Sequence, residues 1–305
     1  MRIDDAAVRA TAFAWLAEQL ARHGDVLPWS LLLGGFEFDG QRVPLLSLQG
    51  IFKPRLCELP LSIRTSVASP YDDELVDDRL AYAYVGTDPS HWQNVGLRRA
   101  FQERVPLVYL YGVAEGRYMP VWPSYIVGDE PGHLRFWVQA EVGTMSLGGA
   151  TISASLGGAS LVGEEFTRQY ATRLMKQRLH QRGFSERVME AYKVRCCICR
   201  LGHRELLDAA HILPDSDGGK PVVSNGFALC KIHHASFDAG VLGVHPSTLR
   251  VRIRPDVLDE IDGPMLRHGL QELDGERIWV PRSAGKKPDA ASLRWRWERF
   301  ERRVC

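Results

Sequence analysis

The chain has 305 residues, which is long enough for two domains of ordinary size. Its hydrophobic content of 45% and charged content of 25% are typical of a soluble globular protein. No run of residues approaches the roughly 18 consecutive apolar positions of a membrane-spanning helix, so we expect that the chain has no membrane span. The start, MRIDDAAVRATAF, lacks a basic stretch followed by an apolar core, so we expect no secretory signal and a cytoplasmic location.

The charge is distributed unevenly along the chain. Residues 1–150 carry 13 Lys and Arg against 18 Asp and Glu, which leaves 25 against 19 for residues 151–305. The net charge of +1 is therefore the balance of an acidic first half and a basic second half. A basic half weakly favours a polyanionic partner such as nucleic acid.

The first part of the sequence predicts one helix followed by a β domain. Apolar positions three and four apart predict an amphipathic helix over residues 5–22. From about 30 to 140, short apolar or alternating runs separated by Gly, Pro and Asp predict strands. These runs are SLLLGGFEF, VPLLSLQGIF, AYAYVG, VPLVYLYGV, VWPSYIVG and LRFWVQAEV, and one helix at WQNVGLRRAFQE interrupts them.

The next segments predict a connection and more helices. Residues 143–163 repeat SLGGA and are rich in Gly and Ser, which favours a linker, with an exposed hairpin as the alternative. The basic stretch that follows predicts two helices broken near Gly183, whose charges could be solvated or could contact phosphates. The final ASLRWRWERFERRV predicts a helix that packs through Trp295, Trp297 and Phe300.

Two short pairs of residues at 196–233 have the spacing of metal ligands. Cys196 and Cys199 form one Cys-x-x-Cys pair, and Cys230 and His233 form a Cys-x-x-His pair. Four such ligands suit tetrahedral Zn²⁺ in a structural site, which would stabilise a domain with a small core. Cys197 is a spare thiol, and the alternatives are buried thiols or a redox pair. We therefore predict structural zinc.

Between these pairs, the sequence resembles a nuclease family. LLDAAHILP reads as a strand that ends near His211, Asn225 follows in VSNGFAL, and His234 follows in HHASFDAG. This pattern over residues 190–245 resembles the HNH nucleases, whose fold is a ββα-metal finger. The resemblance implies a metal-dependent DNA endonuclease with His211 as general base, Asn225 positioning the loop or the base, and His234 binding a divalent ion.

The second ligand of the predicted catalytic ion stays open. Many HNH nucleases have an acid or a His directly before the base, where this chain has Ala210. Asp208 would share a strand face with position 210, and Asp238 lies four residues after His234 on the same helix face. Either can complete the site, although Asp238 could equally be a surface acid. Mg²⁺ or Mn²⁺ suits such oxygen and nitrogen ligands. Adjacent helical residues diverge by about 100°, so His233 should point away toward the zinc.

Residues 45–140 resemble the SRA domain, a β-barrel-like reader of modified cytosine. The matching segments are Tyr71-Asp72-Asp73, Tyr84-Val85-Gly86, Asn94 to Leu97, VPLVYLYG and YIV, whereas Pro70 replaces the usual Gly. The resemblance implies base flipping into a pocket formed by Tyr71, Asp73 and Tyr84. The alternative is strand packing and a turn. Arg98 and Arg99 are candidates for contact with the DNA backbone.

Together these features predict an α+β protein with an SRA-like reader (1–142), a linker (143–163) and an HNH nuclease domain (164–305). We expect a McrA-like, type IV-like restriction enzyme that hydrolyses phosphodiester bonds in modified double-stranded DNA. One finger provides one cutting centre, so cleavage of both strands favours a homodimer. The alternatives are a reader of phosphorothioate or unmodified DNA, and an inactive zinc-stabilised DNA-binding module.

Overall fold

The computed structural model describes residues 5–65, 75–76, 79–140, 146–147, 150–151 and 179–304. The chain divides into two compact units, Met1–Leu179 and His180–Cys305. Helices and strands are mixed in both units, which confirms the predicted α+β class. Among the helices described, none is long and apolar enough to cross a bilayer.

The first unit combines three helices with short and long strands. Its helices are α1 (Asp5–His23), α2 (Trp29–Gly34) and α3 (Trp92–Gln102). Its strands are β1 (Leu27–Pro28), β2 (Phe36–Phe38), β3 (Gln41–Val43), β4 (Ile51–Phe52), β5 (Ser62–Arg64), β6 (Leu75–Val76), β7 (Arg79–Ala83), β8 (Leu107–Ala114), β9 (Arg117–Glu130), β10 (Arg135–Ala140), β11 (Ser146–Leu147) and β12 (Ala150–Thr151). The predicted helices at 5–22 and in WQNVGLRRAFQE are confirmed as α1 and α3.

The main sheet has the order β4-β5-β8-β9-β10-β7-β6, and β1 also pairs with β9. β5 and β8 are parallel, and the other neighbours are antiparallel. Within the described residues, β4 and β6 end this path, so the sheet is an open half-barrel. Side chains of β8 alternate between two cores, because successive strand residues point to opposite faces. Leu107 and Tyr109 join Leu97 of α3, whereas Val108 and Leu110 join Leu16 of α1.

One predicted strand is wrong in its first half. The run SLLLGGFEF begins inside α2 and becomes extended only at β2. Short apolar runs fit a strand and a buried helical turn equally well, so periodicity could not separate them. Gly35 ends the helix at φ 63°, a left-handed value that favours glycine.

Part of the predicted linker is described. β11 and β12 pair as a two-stranded antiparallel sheet inside residues 143–163. The remaining positions of that segment lie outside the described residues. The boundary between a reader domain and a nuclease domain at 143–163 stays a prediction.

The second unit is built around a hairpin and a helix. Helix α4 is described over residues 179–191, of which those from His180 onward belong to this unit. The elements that follow are β13 (Leu207–His211), β14 (Gly226–Cys230), α5 (Lys231–Ala239), β15 (Leu242–Val244), β16 (Val251–Ile253), α6 (Pro255–Leu258), α7 (Pro264–Gly269) and α8 (Ala290–Val304). β13 and β14 pair antiparallel from Leu207↔Cys230 to His211↔Gly226. The chain turns from β14 directly into α5, so this unit contains a ββα arrangement. The predicted C-terminal helix is confirmed as α8.

The predicted helix break near Gly183 is wrong, because α4 runs through this residue without interruption. A helical Gly costs only about 1 kcal/mol relative to Ala. The neighbours Phe184 and Val188 are buried in the core of the second unit. Burial of this helix face outweighs the cost of the glycine.

Candidate active site and metal centre

The four predicted zinc ligands converge. The ligand atoms of Cys196, Cys199, Cys230 and His233 all lie within 4.8 Å of one another. His233 Nδ1 is 3.3 Å from Cys196 Sγ and 3.2 Å from Cys230 Sγ, and Cys199 Sγ is 4.0 Å from Cys230 Sγ. Donors of a tetrahedral zinc ion lie roughly 3.5–3.8 Å apart. The set therefore fits a metal such as zinc, and it excludes the spare Cys197.

A hydrogen bond from its other ring nitrogen orients His233 in this cluster. The Nε2 atom of His233 is 2.9 Å from the carbonyl oxygen of Gly269 at the end of α7, which leaves Nδ1 facing the sulfurs. Metal-binding histidines commonly donate their other N–H to a carbonyl in this way. Burial disfavours the charged imidazole, but the hydrogen bonds to Cys196 and Cys230 outweigh it and raise the pKa of His233 to about 10.

His211 lies at the end of β13 in a half-buried position. Its imidazole stacks on the ring of Phe184, with the centroids 4.0 Å apart and the planes 14° apart. Burial lowers the pKa of His211, and the nearby Asp215 and Asp238 only partly oppose this effect. The ring is therefore held neutral near pH 7, the form that can accept a proton.

Asn225 holds the loop that follows His211. Its amide nitrogen donates to the carbonyl oxygens of Leu213 and Lys220, at 2.9 and 3.0 Å. Its side-chain oxygen accepts from the Leu213 N–H at 2.9 Å. The side chain is only 4% exposed, so water cannot replace these bonds. The geometry is that of a loop-positioning amide.

His234 points away from the sulfur cluster and lies between two carboxylates. Its Nδ1 is 3.2 Å from Asp208 Oδ2, and its Nε2 is 3.2 Å from Asp238 Oδ2. The hydrogen bond to Asp238, with a further one to Asp208, raises the pKa of His234 against the effect of burial. Lys231 pairs with Asp208 at 2.5 Å, and Arg296 pairs with Asp238 at 2.6 Å.

The imidazole and carboxylate groups around His234 are of the donor types that bind hard divalent ions. Neighbouring ligands of Mg²⁺ lie about 3 Å apart, close to the spacing between His234 and either carboxylate. Within the described residues, the sulfur cluster is the only group in which three or more possible metal ligands lie within 4.8 Å of one another. The group around His234 is therefore a sparser ligand set. Mg²⁺ usually keeps several waters and takes only one or two protein carboxylates, so a sparse ligand set is compatible with it.

The predicted reader residues are only partly described. Tyr71 and Asp73 lie outside the described residues. Tyr84 is 7% exposed, stacks on Phe136 with centroids 4.5 Å apart, and hydrogen-bonds Asp129 through its hydroxyl. These contacts place Tyr84 in the core of the first unit.

The two predicted backbone-contacting arginines differ in their surroundings. Arg98 forms a salt bridge to Asp129 at 2.6 Å and donates to the Tyr84 hydroxyl at 3.1 Å. Arg99 is 48% exposed and pairs with Glu103 on its own helix. Arg99 is therefore the more accessible of the two.

Sequence reasoning missed three side chains around the candidate active site. Phe184 stacks on His211, and Lys231 and Arg296 pair with the two carboxylates beside His234. Lys231 adjoins the metal-ligand motif, which was a usable signal. Phe184 and Arg296 lie far from the motif in the sequence, and only the fold brings them to it.

Comparisons with known proteins agree with this geometry. Residues 196–245 match the sequence model of a family described as HNH endonuclease. No curated protein matches the sequence significantly.

Two solved structures show weak overall similarity. A modification dependent TagI restriction endonuclease is 17% identical, with a TM-score of 0.28, over 79% of this chain and 81% of that one. The type IV phosphorothioation-dependent restriction endonuclease ScoMcrA is 16% identical, with a TM-score of 0.25, over 63% of this chain and 48% of that one. This chain thus matches about half the length of ScoMcrA.

The family match covers the ββα arrangement that carries His211, Asn225 and His234, together with the sulfur cluster that can bind a metal. Residues 196–245 therefore form an HNH endonuclease domain, and this domain supports a DNA endonuclease.

Proposed function

We propose that His211 is the general base that activates water for phosphodiester hydrolysis, and that a divalent ion binds at His234. The observation that carries this proposal is the contrast between the two histidines. One is held neutral by burial and an aromatic ring, and the other lies between two carboxylates. A neutral imidazole can take the proton, and a histidine beside two carboxylates offers nitrogen and oxygen ligands to a cation.

The chain's own residues divide the work in this proposal. His211 accepts the proton of the attacking water, and the Asn225 amide keeps the loop after His211 fixed during that transfer. When bound, Mg²⁺ or Mn²⁺ would stabilise charge on the phosphate and the leaving oxygen. His234 and Asp238 would hold the ion. We prefer Asp238 to Asp208 as the second ligand because its charge acts on His211, the proposed base. Asp208 would orient His234 through Nδ1.

Plasmid cleavage tests the proposal. Wild type is compared with His211→Ala in Mg²⁺ and in Mn²⁺, and we expect a loss of about 10²–10⁴-fold in rate. Equal cleavage by the two proteins refutes the assignment of the base. Asp238→Asn should raise the metal concentration needed for half-maximal cleavage more than Asp208→Asn does. The reverse order would make Asp208 the ligand.

We further propose that the first unit reads modified cytosine by base flipping and that the whole chain is a modification-dependent restriction enzyme. Support comes from the fusion of a second compact unit to the nuclease domain and from the sequence resemblance to SRA domains. Tyr71 and Asp73 are the proposed pocket residues, and Arg99 is the proposed contact with the DNA backbone. Tyr84 and Arg98 could join them only by giving up their contacts with Asp129. The acidic first half does not oppose DNA binding, because local charge decides contact.

A panel of matched duplexes tests the reader. Plain, methylated, hydroxymethylated and phosphorothioated DNA are compared in binding and in cleavage. Preference for methylated or hydroxymethylated cytosine supports the proposal. Preference for phosphorothioate favours the alternative reader, and no discrimination removes the modification-reading proposal while leaving the nuclease assignment intact.

A further inference from the structure

Helix α4 covers one face of the proposed base. Phe184 lies 2% exposed under the imidazole of His211, nearly parallel to it at 4.0 Å between centroids. A stacked ring of this kind restricts rotation of the imidazole about its last torsion, which is otherwise broad. It also keeps water from that face.

The hairpin leaves room for this ring. Gly226 is the residue paired with His211 across β13 and β14. A Cβ atom on Gly226 would lie 2.8 Å from Phe184 Cζ and 2.6 Å from Val188 Cγ2, closer than real contacts allow. Glycine at this position therefore makes the slot into which Phe184 fits beside His211.

Polar contacts fix α4 in place over the hairpin. Glu186 forms a salt bridge with Arg204, just before β13. Arg187 donates to the carbonyl oxygen of Pro221 at 3.1 Å, in the loop that Asn225 organises. The helix is thus attached on both sides of His211, so the position of Phe184 is set by more than its own packing.

We propose that Phe184 is a positioning residue for the general base, and that Gly226 provides the space for it. The inference rests on the proposed role of His211. Phe184 lies outside residues 196–245, so the domain that carries the HNH match is completed by the helix before it. The charged and titratable groups that act on His211 from other directions are Asp215, Asp238 and His234.

The test compares Phe184→Leu with Phe300→Leu in the full chain. Phe300 is a buried aromatic residue of the same unit that contacts Trp297 with their ring planes tilted by 34°. We expect Phe184→Leu to lower the cleavage rate about 10- to 100-fold with little change in KM, because a misoriented base loses rate rather than substrate affinity. Phe300→Leu should retain the wild-type rate.

A spectroscopic readout separates positioning from mere stability. The face of Phe184 should shift the His211 ring protons upfield in the NMR spectrum, with His211→Ala used for assignment. These resonances should move downfield in Phe184→Leu and stay in place in Phe300→Leu. Unchanged His211 resonances, or an unchanged rate, in folded Phe184→Leu would overturn the inference.

A second variant provides the test if Phe184→Leu does not fold. If Phe184→Leu loses its zinc or its thermal transition, Gly226→Ala provides the test, because the added methyl group should displace Phe184 with the ring still present. It should reproduce the downfield shift and the loss of rate. The outcome is distinguishable from failure of the proposed function, since wild-type cleavage by His211→Ala would remove the base assignment whatever the Phe184 variants do.

Discussion

At the scale of single residues, the site depends on two histidines with opposite surroundings. His211 is covered by an apolar ring and its pKa is lowered, whereas His234 contacts two carboxylates and its pKa is raised. In the proposed mechanism, these two identical side chains therefore have different roles. Their environments, rather than their residue type, separate a base from a cation ligand.

The pH dependence of cleavage follows from His211. Because burial lowers its pKa below the ordinary 6.5, the ring stays neutral, and active, further into the acid range than a free histidine. We expect the acid limb of the single-turnover rate to have its midpoint below pH 6.5. Measurement of that rate at saturating metal from pH 5 to pH 8 checks this, and a midpoint above 6.5 would contradict it.

Replacing Asn225 by Asp tests the loop. A carboxylate cannot donate to the carbonyl oxygens of Leu213 and Lys220, which the amide now satisfies. We expect the free energy of unfolding to fall on the order of 1–3 kcal/mol. Denaturant titration measures this change, and an unaltered midpoint with an unaltered slope would mean that the loop does not need the amide.

At the scale of elements, helix α5 separates two sites by rotation alone. His233 and His234 are adjacent, and the helix turns by about 100° per residue, so one faces the sulfurs and the other faces the carboxylates. The β13–β14 register then places Cys230 and His211 at opposite ends of one hairpin. One short ββα arrangement can thus carry both a structural metal and a catalytic centre.

Helix α8 supports the end of α5. Arg296 is 14% exposed, donates to the carbonyl oxygen of Phe237 at 2.9 Å, and pairs with Asp238. Cations near the end of a helix interact favourably with its last carbonyls. We expect Arg296→Ala to lower the free energy of unfolding by about 1–3 kcal/mol. The exposed Arg294 on the same helix is the matched control, and equal losses in the two variants would show that the contact with α5 is unimportant.

At the scale of the whole molecule, the two units should respond differently to metal removal. The cluster of Cys196, Cys199, Cys230 and His233 lies entirely in the second unit, and structural zinc contributes directly to folding. We expect a strong chelator, or Cys199→Ser, to lower the thermal transition of the second unit and to leave that of the first unchanged. Calorimetry with and without chelator measures both, and equal shifts would mean that the metal stabilises the chain as one body.

Strand cleavage tests how many chains act together. One HNH domain per chain provides one cutting centre, so we expect nicked plasmid to appear before linear plasmid. The second step should increase with protein concentration more steeply than the first, as a homodimer or a second binding event requires. Simultaneous appearance of linear product at low protein concentration would contradict this order.

The local sequence pattern was sufficient to predict those elements whose signal lies within a few neighbouring residues. The ligand pairs of the candidate metal cluster, the strand that ends at His211 and the helix that carries His234 were all predicted and are present. The spacing that brings ligands together across a tight turn is a local property. The short run at 30–34 was predicted wrongly, because its few apolar residues fit a helical turn as well as a strand.

The sequence by itself determined which residues could do the chemistry: the two ligand pairs, and the His, Asn and His of the nuclease motif. Only the tertiary structure decided their surroundings, namely that Phe184 covers His211 and that Asp208 and Asp238 lie on opposite edges of His234. The physical reason is that residue type and spacing fix what a side chain can bind or donate. Its pKa and orientation depend on groups far away in the chain, which are brought near only when the core forms.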